Sequence, residues 1–183
     1  MKPLVMRYAA PATDSNEGWE RCSLPLGCGH FGCSVFGLVE RERIQVTENS
    51  VLTRRNLTNA AEIYLHFPHK DVSEYERGLM LDTATAYCRY TSSGVRYTRE
   101  YFTSYPDKVL AVKLAADQPG ALAFSLAPEV PFQHPFGDEE TDCALGKAAT
   151  VKASGNAIEM DCQLEYYGIL FAAQFRLETD GTV

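Results

Sequence analysis

Short stretches in which apolar and polar side chains alternate recur along almost the whole chain, while the period of an amphipathic helix is nearly absent. Alternation of this kind confines the chain to an all-β fold, because successive side chains on a strand point to opposite faces of a sheet. In Glu62–Phe67, Ile63, Leu65 and Phe67 share one face and Glu62, Tyr64 and His66 the other. Val109–Ala115 alternates likewise. Val95–Phe102 has a less clean register but is dominated by β-branched and aromatic residues. Further strands are predicted over Phe31–Leu38, Arg43–Thr47, Thr83–Tyr90, Leu122–Leu126, Ala148–Ala153, Ala157–Cys162 and Tyr167–Leu177.

Turn chemistry separates these runs. Thr91-Ser92-Ser93-Gly94 and Ser154-Gly155-Asn156 each lie between two strand candidates, where Gly and Asn tolerate positive φ. Pro106-Asp107 and Gln118-Pro119-Gly120 fit the same pattern. Strands spaced at roughly 8–12 residues with turns between them indicate an antiparallel β-sandwich with few or no helices. Pro128–Gly146 carries Pro131, Pro135 and the acidic run Asp138-Glu139-Glu140, and reads as a long surface loop. The 183 residues are expected to form a single sandwich domain over 1–183. Glu178-Thr179-Asp180-Gly181 reads as a hairpin turn with only Thr182 and Val183 beyond it, so this domain is expected to be cut short at its C-terminal end.

The net charge is −7 and no basic run offsets it, which argues against nucleic acid as a partner. No apolar stretch reaches the about 18 residues of a membrane span, and no membrane is expected as a partner. Met1–Tyr8 lacks the apolar core of a secretion signal. The six cysteines are therefore read as free thiols in a reducing cytoplasm, with Cys28 and Cys33 as small buried apolar groups. His66-x2-His69 is too tightly spaced for a zinc site with Cys28-x4-Cys33, so no metal and no other cofactor is expected. His30 and His134 stand beside no nucleophile motif.

Two long motifs narrow the reading. One runs from Trp19-Glu20-Arg21-Cys22-Ser23-Leu24-Pro25-Leu26-Gly27-Cys28-Gly29-His30 through Val35-Phe36-Gly37 to Glu42-Arg43-Ile44-Gln45-Val46-Thr47-Glu48-Asn49-Ser50. The other joins Ala61-Glu62-Ile63-Tyr64-Leu65, Leu81-Asp82-Thr83-Ala84 and Gly94-Val95-Arg96-Tyr97-Thr98-Arg99-Glu100-Tyr101-Phe102, ending in Ser104-Tyr105-Pro106-Asp107-Lys108-Val109. In this order they resemble the N-terminal domain of glycoside hydrolase family 95, the α-L-fucosidases and their relatives. Departures are Cys28 in place of the family's Asn, Cys33 in place of a small residue, and Leu52 in place of Trp. The chain also passes directly from Leu52 to the Asn59–Tyr64 strand, where relatives carry a longer excursion.

The resemblance implies a β-supersandwich joined to an (α/α)6 barrel that holds the catalytic residues. No catalytic residue is then expected in this chain. Its implied work is to pack against the barrel of the same polypeptide and shape the site where the full enzyme takes a fucosylated oligosaccharide. Whether that sugar is L-fucose or L-galactose stays open. Trp19, Gly29, His30, Glu48 and Asn49 are the candidates for a domain interface or a border of the sugar site. Each also has a structural reading. Gly27, Gly29 and Gly32 permit a tight turn, Trp19 is a core or interdomain anchor, and Glu48 and Asn49 cap a turn. The alternative is a stand-alone carbohydrate-binding or scaffolding sandwich, with Tyr64, Tyr97, Tyr101 and Phe102 as a sugar-stacking face. Uncovered strand edges also suggest a symmetric homodimer.

Overall fold

A computed structural model of the chain describes residues 3–52, 57–131, 147–164 and 168–181. The strands are β1 (Val5–Tyr8), β2 (Leu24–Gly27), β3 (Phe31–Val35), β4 (Arg41–Leu52), β5 (Leu57–His66), β6 (Val72–Met80) and β7 (Thr85–Ser92). They continue with β8 (Val95–Ser104), β9 (Val109–Ala116), β10 (Ser125–Glu129), β11 (Lys147–Ser154), β12 (Ala157–Leu164) and β13 (Ile169–Arg176). Among the described residues a single short helix, α1 (Asn16–Cys22), precedes β2. The fold is an antiparallel β-sandwich arrangement with sheet orders β1-β6-β7-β8-β9, β10-β5-β4-β3-β2 and β11-β12-β13. Residues 132–146, which hold most of the expected Pro128–Gly146 loop, Cys143 and His134, lie outside the described residues.

The chain divides into two compact units, Met1–Val46 with Ile63–Ala127, and Thr47–Glu62 with Pro128–Val183. In the first, two sheets bury a common core of Leu24, Leu26, Val35, Ile44, Leu79, Ala86, Cys88, Tyr90, Tyr97 and Tyr101. Cross-strand registers such as Leu24↔Val35 and Tyr90↔Tyr97 place these side chains on inward faces. Full burial of each large apolar side chain stabilises the fold by about 1.5–3 kcal/mol. In the second unit, Leu164 of β12 and Ile169 and Phe171 of β13 pack with Val51 and Ala60. There Lys147 is buried and donates to Thr58 Oγ1 and to the Asn59 carbonyl at 3.1 Å. Burial pushes its ammonium down to about 8.

Four elements fall outside the predicted strands, each for a physical reason. β2 contains Pro25, and a sheet accepts proline at an edge, which is where β2 lies. β6 has a register shift between Ser73 and Glu76 with Glu74 at φ 52°, so its period breaks midway. β1 is only four residues long. α1 starts where Ser15 Oγ accepts from Gly18 N at 3.1 Å and ends where Ser23 Oγ donates to the Trp19 carbonyl at 2.6 Å, too few turns for a helical period to show.

The uneven register of β8 also has a cause. Val95, Tyr97, Arg99 and Tyr101 all point inward, and Arg99 is almost wholly buried. Its guanidinium bonds Glu42 Oε2 at 3.1 Å and the carbonyls of Leu38 and Val39 at 2.6 and 2.7 Å. It also donates to the Tyr90 hydroxyl and lies 3.9 Å from the Phe67 ring centroid. Glu42 in turn accepts from Tyr101 at 2.9 Å, from Gly37 N at 2.8 Å and from Arg43 N at 3.1 Å. Gly37 sits at φ 72°, and a Cβ there would come within 2.6 Å of Arg77 Cδ. Burial pushes the Glu42 carboxyl up, and Arg99, Tyr101 and Gly37 oppose that push.

Tyr90 extends the network to His69, whose Nδ1 lies 2.7 Å from the Tyr90 hydroxyl. That hydroxyl accepts from Arg99 and keeps its own proton for Nδ1, an arrangement that fits a neutral His69 protonated at Nε2, which has no hydrogen-bond partner among the described residues. The imidazole is packed 3.8 Å from the Tyr97 ring and 5.2 Å from that of Phe67. Burial first, and then the Arg99 charge, pull its pKa down to about 4.

Two outcomes follow from this core. Glu42→Gln leaves the Arg99 charge buried without its counter-ion, and should lower unfolding free energy in urea by about 3–5 kcal/mol. Glu42→Leu with Arg99→Met should recover much of that loss, since the charge is then removed with its partner. For His69, the unfolded chain takes up its proton near the ordinary value of 6.5 and the folded chain only near 4. Its contribution is therefore present above pH 6.5 and fades as pH falls toward 4, amounting to up to about 3 kcal/mol. The difference in urea midpoint between the parent and His69→Phe, followed from pH 7.5 to 4, should show that slope.

Candidate functional site

Ionisable side chains that could carry chemistry are either committed to the interior or dispersed over the surface of the described residues. Glu42, an acid of the first motif, and Arg99, a base of the second, are 0% and 1% exposed and bonded to each other. Neither can reach a substrate. The Cys33 and Cys88 thiols are pushed up to about 12 and that of Cys162 to about 11, mainly by burial, which keeps them from the nucleophilic thiolate form. Cys28 and Cys33 are buried, as small apolar groups would be. Among the described residues, no group of three or more His, Cys, Asp or Glu is placed to hold a metal ion. No helix there is long and apolar enough to cross a membrane.

The surface offers a more distinct feature at the tip of the β2–β3 hairpin. Gly27 pairs with Gly32, and Cys28 N donates to the Phe31 carbonyl at 3.1 Å, closing a tight loop. Gly29 turns this loop at φ 83°, a conformation that favours glycine. A Cβ at Gly29 would lie 3.6 Å from the Tyr105 ring, so the turn runs close beside that ring. The next side chain, His30, stacks on Tyr105 with centroids 6.0 Å apart and planes at 27°. Tyr105 occupies the β8–β9 turn, which is closed by Ser104 Oγ donating to Asp107 Oδ2 at 2.5 Å, and is 70% exposed. The result is an exposed aromatic shelf. Its apolar faces and polar rim suit a partner surface or a sugar ring. Beside β2, Pro25, Leu26, Gly27, Leu79, Leu81 and Ala84 line an apolar hollow of about 300 Å³.

The residues expected at an interface are thus only partly assembled. Gly29 and His30 come together with Tyr105, which sequence reasoning did not single out even though it lies in the second motif. Trp19 lies on α1 of the same unit and is 47% exposed, so it is not a core anchor. Seven residues of helix give too little surface to bury an indole. Glu48 and Asn49 belong to the other unit and lie within β4, which continues through them to Leu52 and does not end in a turn there. Glu48 accepts from Ser50 N at 2.8 Å and from the Ser50 hydroxyl.

The alternative sugar-stacking face is not present. Tyr64, Tyr97 and Tyr101 are 8%, 6% and 0% exposed, and Phe102 alone is open at 44%. Tyr97 and Tyr101 are inward residues of β8, and the Tyr64 ring is covered by the Arg41 guanidinium at 3.6 Å. His66 and His69, considered together as a spaced pair, part company: His66 is exposed and His69 is buried in the core.

Comparison with known proteins gives these motifs a setting. An alpha-L-fucosidase 2 from Arabidopsis thaliana is 24% identical over 178 residues, covering 73% of this chain and 20% of that protein. The chain therefore spans about one fifth of the length of the curated relative it matches. The family model described as glycosyl hydrolase family 65, N-terminal domain, matches residues 52–183. That match takes in β5 to β13, including Arg99, Tyr101 and Tyr105, and extends over well more than half of the sequence. The chain belongs to this family of glycosyl hydrolase N-terminal domains.

Proposed function

We propose that this chain is the non-catalytic N-terminal sandwich of an α-L-fucosidase-like hydrolase of the family 95 type, supporting a catalytic barrel elsewhere in the polypeptide. The observation that carries the reading is the fate of the motif's own charged residues. Glu42 and Arg99 neutralise each other inside the core, and the motif's Tyr101 is bonded to them. Glycoside hydrolysis needs two carboxyl groups on either side of an accessible bond, about 5–10 Å apart. Glu42, sealed away with Arg99, maintains a scaffold and takes no part in cleavage. The similarity to an α-L-fucosidase over one fifth of that protein's length supports the same division of labour.

In this reading the His30–Tyr105 shelf is the face that meets the barrel near the sugar entrance. An exposed aromatic held rigid by its neighbours loses little side-chain freedom on docking, which favours it as a contact.

Two measurements bear on this. Release of fucose from an aryl α-L-fucoside should be undetectable with the purified chain and present in a longer protein carrying it. Turnover by the purified chain, abolished by replacing one of its exposed carboxylates, would overturn the reading. Tyr105→Ala should leave the unfolding midpoint of the isolated chain unchanged, because the side chain is exposed there. In the longer protein the same change should cost roughly 1–2 kcal/mol of stability and lower kcat/KM severalfold.

A further inference from the structure

The loop from Phe67 to Asp71, between β5 and β6, carries two inward side chains over the polar core of the first unit. Phe67 and His69 are buried, while Pro68, Lys70 and Asp71 stay in solvent. Phe67 N donates to the Glu40 carbonyl at 2.8 Å, the Ser92 hydroxyl donates to the Lys70 carbonyl, and His69 Nδ1 meets the Tyr90 hydroxyl. The Phe67 ring also lies 5.7 Å from that of Phe124. Asp71 ends the loop at φ 51°, a backbone conformation that residues other than glycine seldom adopt. The loop belongs to no strand, so it can lift without breaking the register of β6 with β7 or of β7 with β8.

This place suits a neutral imidazole and rejects a charged one. Tyr90 of β7, Tyr97 of β8 and Phe67 of the loop enclose the ring. Arg99 of β8 donates to the same Tyr90 oxygen that meets Nδ1, so an imidazolium would stand two hydrogen bonds from a guanidinium. Glu42 of β4 is engaged by Arg99, Tyr101 and Gly37, and Tyr97 donates to the Ala121 carbonyl at 3.3 Å. Glu40, Lys70 and Asp71 are exposed. Among the described residues no carboxylate bonds to His69, and Nε2 has no partner. A second proton, at Nδ1, would also leave the Tyr90 proton without its acceptor. Opening the loop would hydrate the imidazolium and move it away from Arg99. We propose that residues 67–71 form an acid-operated latch, released by a second proton on His69 while the strands on either side stay paired. Such a local opening breaks fewer contacts than unfolding and belongs to the low-stability end of a fold's motions. It gives the sandwich an acid limit set by a single side chain.

Hydrogen exchange of the purified chain, read by peptide mass spectrometry and corrected for intrinsic rates, tests this independently of the proposed function. His69 takes its proton near 6.5 in the open loop and near 4 in the closed one, where burial and the Arg99 charge oppose it. Opening should therefore rise about tenfold per pH unit over that range, up to about 300-fold. Protection of a peptide spanning 67–71 should fall to match, and should not respond to urea below the unfolding transition. Amides of β7 and β8 should stay at least about tenfold better protected at each pH and lose protection as urea rises. His69→Phe and His69→Gln should each abolish the pH dependence of the loop, and either one serves if the other does not fold. Three results overturn the inference: loop protection that ignores pH in the parent, acid loss that persists in the variants, or loop and strand amides that open together with one urea slope.

Discussion

The Glu42–Arg99 ion pair is the interaction on which the first unit depends. A buried guanidinium and a buried carboxylate each lose several kcal/mol of hydration, and only close mutual contact with full hydrogen bonding offsets that loss. Here the contact is close and the Arg99 Nη1 and Nη2 groups are bonded, while its buried Nε has no partner among the described residues. The Glu42 oxygens accept from Arg99, Tyr101, Gly37 and Arg43, and Arg99 reaches two carbonyls and a hydroxyl besides. Those partners lie on β4, on the loop before it, on β7 and on β8, so the pair ties two facing sheets through a single charge centre. An apolar pair of equal volume would hold the sheets together. It would not set which residue of β8 faces which residue of β4.

Around this centre the polar groups are arranged in order of proton demand. Arg99 stays charged and directs the Tyr90 hydroxyl toward His69, which is neutral and enclosed by Phe67 and Tyr97. Arg77 performs a similar task at the rim, donating to the Ala10 and Cys22 carbonyls at 2.8 and 2.7 Å and so holding the N-terminal segment and the end of α1. Its guanidinium lies 4.4 Å from the Tyr8 ring centroid. Two buried arginines thus do what a longer apolar core does elsewhere, and they fix positions as well as adding stability.

The same economy of inward positions explains the functional picture. Residues of the two motifs divide into those that build the core, such as Glu42, Arg99 and Tyr101, and those that remain outside, such as His30 and Tyr105. Burial separates the two sets more cleanly than residue type does. Three of the four aromatics expected to stack on a sugar are interior, while a tyrosine in a turn, unremarked by its pattern, holds the exposed shelf.

Local sequence determined the strand class, the turns and most of the strands, because a side chain's face on a strand depends only on the parity of its position. Ser93 and Gly94, both at positive φ in the β7–β8 turn, are an instance in which the residues themselves dictate the backbone. The ordered motifs likewise sufficed to point to a glycoside hydrolase N-terminal domain. Where the alternation was interrupted, by the irregularity in β6 and by the charge of Arg99 in β8, only the tertiary structure decided. Glu42 and Arg99 stand 57 residues apart, and a charge at an inward position looks like an error until its distant partner is in place. Which acids are sealed, which aromatics are open and where Gly29 meets Tyr105 are set by long-range pairing, and a local pattern carries no record of it.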